Sequence, residues 1–416
     1  MTFGIFQDAY TRELPFGGPK RATGVIGTTT NGVMYLSMPL LNIFLESGRW
    51  SGYRRLVAYA GLVLSAAAFL LSSWSSQVWH LIVLQGVLAA LGGAMIFSPT
   101  TLWLNEWFRD GGNRATAYGV SLASKNIVGT GCPFLMYVLL DRLGFRATLR
   151  VWAGIVCATG ALGILLVPKS TTAPATRTRK IPWSFLKHRT FWIYALANMF
   201  QSSGYGLPQT YLSEFASRQL HLSSVLSSLL LVVFNFPGVV SCICFGMLTD
   251  KTSLSASTNT LISALGSGLC VFFLWGLKGH EIPALLIVFS ILYGAFAGGY
   301  SSTWGGWLKE LEREAAANNE AINIGMIYGL FNGARGVGYV VGGLSGVELL
   351  AAGAVVQGKA LAFGTRYGAL IVFTGVCSCL GGWATVWRGV SGVRLNLRVE
   401  RLEVRRLWGG HGGMMA

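Results

Sequence analysis

Two residues of this chain, Lys125 and Arg335, sit where a charge needs a reason. Each lies inside a long apolar run, more than two helical turns from the nearest predicted helix end. At about 1.5 Å per residue, Lys125 is roughly 15 Å from the nearer end of its helix, too far for its side chain to reach water comfortably. A charge at that depth in a membrane costs about 2.5 to 3.5 kcal/mol even on lenient scales, so each cation must face a wet cavity or a partner. No Asp or Glu lies at comparable depth, since Glu106, Asp141, Glu214, Asp250 and Glu320 all fall near run ends. Two unpaired cations near the midplane suit an anionic ligand, with a carboxylate the obvious candidate. The competing reading has Arg335 bound to backbone carbonyls of a broken helix, with Lys125 neutral or facing water.

Other polar groups at mid-depth are Gln201 and Tyr205, beside the flexible Gly204 and Gly206, then Asn235 and Asn332. Each is a candidate to orient a substrate by hydrogen bonds, although Asn and Gln at this depth most often join helices. Tyr300 and Trp304 lie nearer the inner face. The glycines around Arg335 (Gly325, Gly329, Gly333, Gly338, Gly342 and Gly346) recur at four- or five-residue spacing, as close helix packing requires.

Several chemistries find no residues to carry them. His80, His188, His221, His280 and His411 are scattered at loops and helix ends, which offers no metal site and no hydrolase constellation. The stretch from Gly353 through Gly358 and Lys359 imitates a phosphate-binding loop. Ala360 stands where a magnesium-binding Ser or Thr belongs, and no strand precedes it. The seven Cys (132, 157, 242, 244, 270, 377 and 379) fall inside apolar runs and read as small buried hydrophobes. No enzymatic activity and no cofactor are expected.

The elements that position these residues are helices in lipid. Hydrophobic residues make up 52% of the 416 and charged residues only 12%, about half the charge of a soluble domain; mean hydropathy is +0.53. Apolar runs of roughly twenty residues, each long enough to span a bilayer, occur near 24–45, 55–74, 79–104, 115–140, 148–168, 190–213, 225–248, 257–277, 282–304, 320–346 and 366–388. The fold predicted is an all-α polytopic membrane protein. The net charge of +16 resides mostly in connectors and the C-terminal tail, a topogenic pattern. With the connector 169–189 placed in the cytoplasm, about twenty Lys and Arg fall inside and about ten outside.

That basic, Pro- and Thr-containing connector reads as a solvated linker. It separates an N-terminal bundle, 1–168, with five spans, from a C-terminal bundle, 190–388, with six. The tail 389–416 alternates apolar and charged residues, suiting either an amphipathic element on the inner leaflet or a solvated basic tail. Asn113-Arg-Ala115-Thr-Ala-Tyr-Gly119 opens the fourth span and Asn319-Glu-Ala321-Ile-Asn-Ile-Gly325 opens the tenth. Lys125 and Arg335 lie on these same two helices. Repeated halves with a site between them are the usual plan of secondary transporters.

FGIFQDAY from Phe3, LNEWFRDGGNRATAYG from Leu104, LLDRLGFRATLR from Leu139, GMLTDK from Gly246, GGYSSTW from Gly298 and NGARGVG from Asn332 are spread over nearly the whole chain. Together they resemble the major facilitator superfamily, and more closely its fungal monocarboxylate-porter-like branch. The resemblance implies two six-helix bundles rocking about a central site, coupled to protons or another gradient and not to ATP. It also implies a gating pattern after helix two, where LESGRWSGYRR leaves Glu46 to supply the acidic charge, and a better preserved second copy at Gly246, Asp250 and Lys251. Arg335 matches the branch's RGxG signature, and Lys125 matches no family pattern. The first helix of such a bundle would be represented only by its end, Met1 to Tyr10, through a truncated gene model or a genuine loss.

The expectation is a transporter for a small organic anion or monocarboxylate-like metabolite, with Arg335 and Lys125 attracting the anion, embedded in the lipid bilayer of the plasma membrane or an internal one. The alternatives are an exporter of a secondary metabolite or toxin, and a non-transporting sensor or degenerate paralogue.

Overall fold

The computed structural model describes residues 23–108, 112–168, 182–252, 254–277, 279–356, 358 and 361–388. Met1 to Tyr10, most of the connector, Lys359, Ala360 and the tail fall outside the described residues. The described chain is helical at every predicted span. α1 is Thr23–Glu46, α2 Arg54–Ser72 and α3 Val78–Trp107. A single helical trace, Arg114–Leu166, is two helices, because Gly144 takes φ 71° and ψ 173°, a conformation that only glycine adopts readily. We call its parts α4 (114–143) and α5 (145–166). α6 is Arg189–Gln219, α7 Ser224–Lys251, α8 Ala256–Trp275, α9 Pro283–Ala317, α10 Ile324–Ala352 and α11 Gly368–Leu380.

Six helical stretches are long and apolar enough to cross a membrane on those grounds alone, among them Arg114–Leu166 with its two passes. α1, α6 and α10 are equally long but more polar, and they pack on one another, with α10 between α1 and α6. The faces these helices turn toward one another tolerate Thr, Ser, Asn and Gly that a lipid-facing surface does not. On the outer faces Leu40, Val63, Phe134 and Leu166 are each at least 65% exposed, apolar side chains that lipid covers. The molecule is a multi-pass membrane protein.

The two halves meet along two glycine-lined seams. On α10, Gly325, Gly329 and Gly333 face Glu46, Asn42 and Pro39 of α1, whereas Gly338, Gly342 and Gly346 face α6. In the other seam Gly119 of α4 lies on the Cys242 carbonyl of α7, and Gly246 of α7 on Ala115. A methyl group would meet backbone at Gly119, Gly246, Gly338 and Gly342 and a neighbouring side chain at the others, so the recurrence of glycine is a packing requirement.

Three expectations are corrected. The tenth helix does not open as the fourth does: Asn113 immediately precedes α4, but Asn319 has φ 54° in a turn, and α10 starts at Ile324 with Asn323 as its cap. The Glu320 N–H bonds back to the Ala315 carbonyl at 2.8 Å, which closes the previous helix and uses up the residues that sequence similarity assigned to the next one. α9 does not stop at Trp304. It passes through a 3-10 turn at Tyr300–Thr303 and continues to Ala317. Finally, the described end of the linker is packed, not solvated: Ser184–Lys187 forms a 3-10 turn, and Phe185 is buried against Phe191.

Candidate functional site

Arg335 projects from α10 into an aromatic enclosure. Its Cζ lies 5.2 Å from the ring centroid of Tyr35, 5.5 Å from Trp304, 5.7 Å from Tyr339 and 6.0 Å from Tyr205. Tyr35 and Tyr339 stack with centroids 5.5 Å apart. Nη1 donates to the Ser301 hydroxyl at 2.6 Å, and Nε has no partner. Ring faces carry negative potential, so the enclosure stabilises the cation without neutralising it. The residue is 5% exposed, and among the described residues no acidic side chain pairs with it. No backbone carbonyl of a broken helix takes up the guanidinium, because α10 is continuous through this point.

Lys125, from α4, places Nζ 5.5 Å from the centroid of the same Tyr205 ring. It is half-buried and likewise has no acidic partner among the described residues. Tyr205 thus joins the two cations. Its hydroxyl accepts from Gln209 Nε2 at 3.2 Å, and its ring lies 6.3 Å from Phe234. Gln201, one turn earlier on α6, is 2% exposed with neither amide atom partnered; it lies against Gly381, whose carbonyl accepts from the Tyr300 hydroxyl at 3.0 Å. Asn235 and Asn332 are placed differently. Each donates its amide to the carbonyl four residues earlier on its own helix, Leu231 and Tyr328, which is a helix-internal use.

The gating candidates gather at the end of the bundle that carries the connector. Asp250, with its side chain fully covered, accepts from the Ala115 N–H at 3.3 Å, the Thr116 N–H at 2.7 Å and the Thr116 hydroxyl at 2.8 Å. A carboxylate on the first turn of α4 satisfies orphan N–H groups and meets the positive end of the helix dipole. Its ammonium partner is Lys309 of α9. Lys251, the third residue of that gating pattern, is exposed and lines a cavity of about 450 Å³ with Thr116, Val120 and Met247. In the other seam Glu46 accepts from Asn323 Nδ2 at 2.9 Å, and Asn42 Nδ2 donates to the Gly325 carbonyl at 2.8 Å. Each seam is therefore closed by an acid at the end of one helix (Glu46 of α1, Asp250 of α7) touching the start of a helix from the other half. Gly246 permits the approach on the Asp250 side.

Sequence reasoning overlooked the charged continuation of α9. Lys309 pairs with Asp250, Glu310 with Arg388 and the Tyr194 hydroxyl, Glu312 with Arg114 through both guanidinium nitrogens, and Glu314 with His188. In the first half Arg54 pairs with Glu106. A polar cavity of about 690 Å³ opens beside α9, lined by Thr249, Lys309, Arg313 and Arg388 among others. Neither cavity reaches Arg335 or Lys125. The signal for this cluster was present in WLKELERE, whose charges follow Trp307 too closely for a span to continue.

Continuous apolar helices packed around Arg335 and its aromatic neighbours define a membrane-embedded helical bundle with a buried polar centre. The sequence profile of the Major Facilitator Superfamily matches residues 9–343, and the chain belongs to that superfamily. Its relatives include an "MFS-type transporter" of Gibberella moniliformis (strain M3125 / FGSC 7600), 30% identical over 262 residues, 60% of this chain and 58% of that protein. Monocarboxylate transporter 12 of Xenopus laevis is 27% identical over 269 residues, 58% of this chain and 57% of that protein. MFS-type transporter pynF of Aspergillus niger (strain ATCC MYA-4892 / CBS 513.88 / FGSC A1513) is 23% identical over 354 residues, 84% and 76% of the two chains. The matched region thus spans less than two thirds of the length of the first two relatives.

Proposed function

We propose that this protein is a secondary active transporter that carries a small organic anion across a membrane by alternating access. The observation that carries the proposal is Arg335: a buried guanidinium with one hydrogen bond to Ser301, four aromatic neighbours and no acidic partner among the described residues. A fixed charge at that depth is costly and earns its place by binding a mobile counter-charge. The names of relatives, MFS-type transporter and monocarboxylate transporter 12, support the same class.

In this scheme the connector end faces the cytoplasm, as the excess of Lys and Arg there requires. In the proposal the Glu46 and Asp250 contacts are the latches of that end, made when the inner side is closed and broken when it opens. Opening would separate α1 from α10 and α4 from α7, exposing Arg335 and Lys125 to the other compartment. The driving ion is a proton in this proposal and the membrane is the plasma membrane; an imposed pH gradient across proteoliposomes tests the first, and fluorescent-fusion imaging the second.

Reconstituted protein is assayed for uptake of labelled monocarboxylates. Arg335→Ala should abolish uptake while the melting temperature in detergent stays near that of the parent, with Arg335→Lys retaining a fraction. Undiminished uptake by a folded Arg335→Ala variant would remove Arg335 from the mechanism.

A further inference from the structure

The charge balance at the centre says more than the sign of the ligand. α4 and α10 belong to opposite halves of the chain, and each sends one cation to the same ring: Lys125 Nζ lies 5.5 Å, and Arg335 Cζ 6.0 Å, from the Tyr205 centroid. The two charges can therefore be no farther apart than those distances together. The acids at the connector end are already engaged, with Glu46 on Asn323, Asp250 on Lys309 and Glu312 on Arg114. What surrounds Arg335 is aromatic: Tyr35, Tyr205, Trp304 and Tyr339 offer ring faces but no formal charge, and Lys125 shares the Tyr205 ring. A monoanion bound here would leave one positive charge uncompensated in surroundings of low dielectric, and the two cations would continue to repel. A ligand with an acidic group at each end removes both penalties.

Resting on the anion reading above, we infer that the substrate is an organic dianion of the short dicarboxylate class. One carboxylate lies on Arg335, which has an unpartnered Nε and a neighbouring donor in the Ser301 hydroxyl. The other lies on Lys125, and the Tyr205 ring, held by Gln209 and packed near Phe234, spaces the two ends. The aromatic enclosure covers the carbon chain and excludes water, which strengthens both charge contacts.

The test compares succinate with butyrate, which share a four-carbon chain and differ in one carboxylate, and extends to malonate, glutarate and adipate with their chain-matched monocarboxylates. Uptake into proteoliposomes holding the full chain is measured at neutral pH. Dicarboxylates should win by about tenfold or more in transport efficiency, the discrimination expected of one hydrogen-bonded charge in a buried site. Lys125→Gln should narrow the ratio to within about threefold, and Lys125→Arg should preserve most of it. Equal handling of each matched pair, absence of uptake for every dicarboxylate, or a ratio unmoved in a folded Lys125→Gln variant overturns the inference. Monocarboxylate uptake that still depends on Arg335 would then leave the anion reading standing. Independence of every probe from Arg335 would remove both.

Discussion

Thr116 gives Asp250 two hydrogen bonds, one from its backbone N–H at 2.7 Å and one from its hydroxyl at 2.8 Å, across the seam between the two halves. The acid belongs to the last turn of α7 and the threonine to the first turn of α4, so one side chain both caps a helix and joins the bundles.

Replacing Asp250 with Ala leaves the Thr116 N–H and the Lys309 ammonium without their acceptor. A loss of about 1 to 3 kcal/mol is expected, most of it from the stranded groups. Thermal unfolding in detergent should show a lower melting temperature, and the double variant Asp250→Ala/Lys309→Met should recover part of it. Cysteine labelling at Thr116 should rise in the single variant, since the seam is held less often closed; a seam that labels no faster is not latched by Asp250.

Gly342 leaves no room for a side chain, because a Cβ there would collide with the Ser203 carbonyl of α6. Gly342→Val should lower the yield of folded protein sharply, with overpacking costing about 1 to 3 kcal/mol or more. Gly131→Ala, at a position with open space around it, is the matched control and should be neutral or slightly stabilising, as Ala favours helix. Equal yields from the two variants would show that the α6–α10 contact is looser than described.

His188 lies between two carboxylates, with Nδ1 2.9 Å from Glu314 Oε1 and Nε2 2.8 Å from Glu320 Oε2. A neutral imidazole has one N–H, so only the imidazolium donates to both. The hydrogen bond to Glu320 first, and that to Glu314 after it, hold the His188 pKa above the usual imidazole value, and His188 in turn holds Glu320 below the usual carboxylate value. A raised histidine pKa gives a contribution fully present below the unfolded value and lost as pH rises through the folded one. The depressed Glu320 sets the opposite edge, its contribution fading as pH falls through its own folded value. The melting-temperature difference between parent and His188→Gln should therefore shrink as pH rises from about 6 to about 9, through and beyond the ordinary imidazole range. A difference constant over that range would mean that His188 is not charged in the folded protein.

How far the sequence was legible depends on the range of the interaction. Eleven apolar runs are each matched by a helix, since length and apolarity are properties of a segment by itself. Arg335 and Lys125 were visible as deep cations for the same reason. Tyr339 was within reach of the same logic, being four residues after Arg335 and so on its face of the helix. Tyr35 carried no such signal, because its contact with Arg335 joins α1 to α10 across three hundred residues. The ion pair of Asp250 carried no sequence signal for a related reason: its neighbour Lys251 points elsewhere, because consecutive residues on a helix point apart, and Lys309 arrives from α9, about sixty residues on.

The sequence by itself determined that the chain lives in lipid, where its spans lie, and that two positive charges are buried in it, because transfer of each segment into hydrocarbon depends on composition alone. Only the tertiary structure decided that both charges share the Tyr205 ring, that the guanidinium is held by rings and Ser301 with no carboxylate among the described residues, and that the charged extension of α9 ties the halves together through Glu312 and Arg114. Those relations arise where glycine seams let helices from distant parts of the chain approach backbone to backbone, and that approach exists only once the bundle has formed.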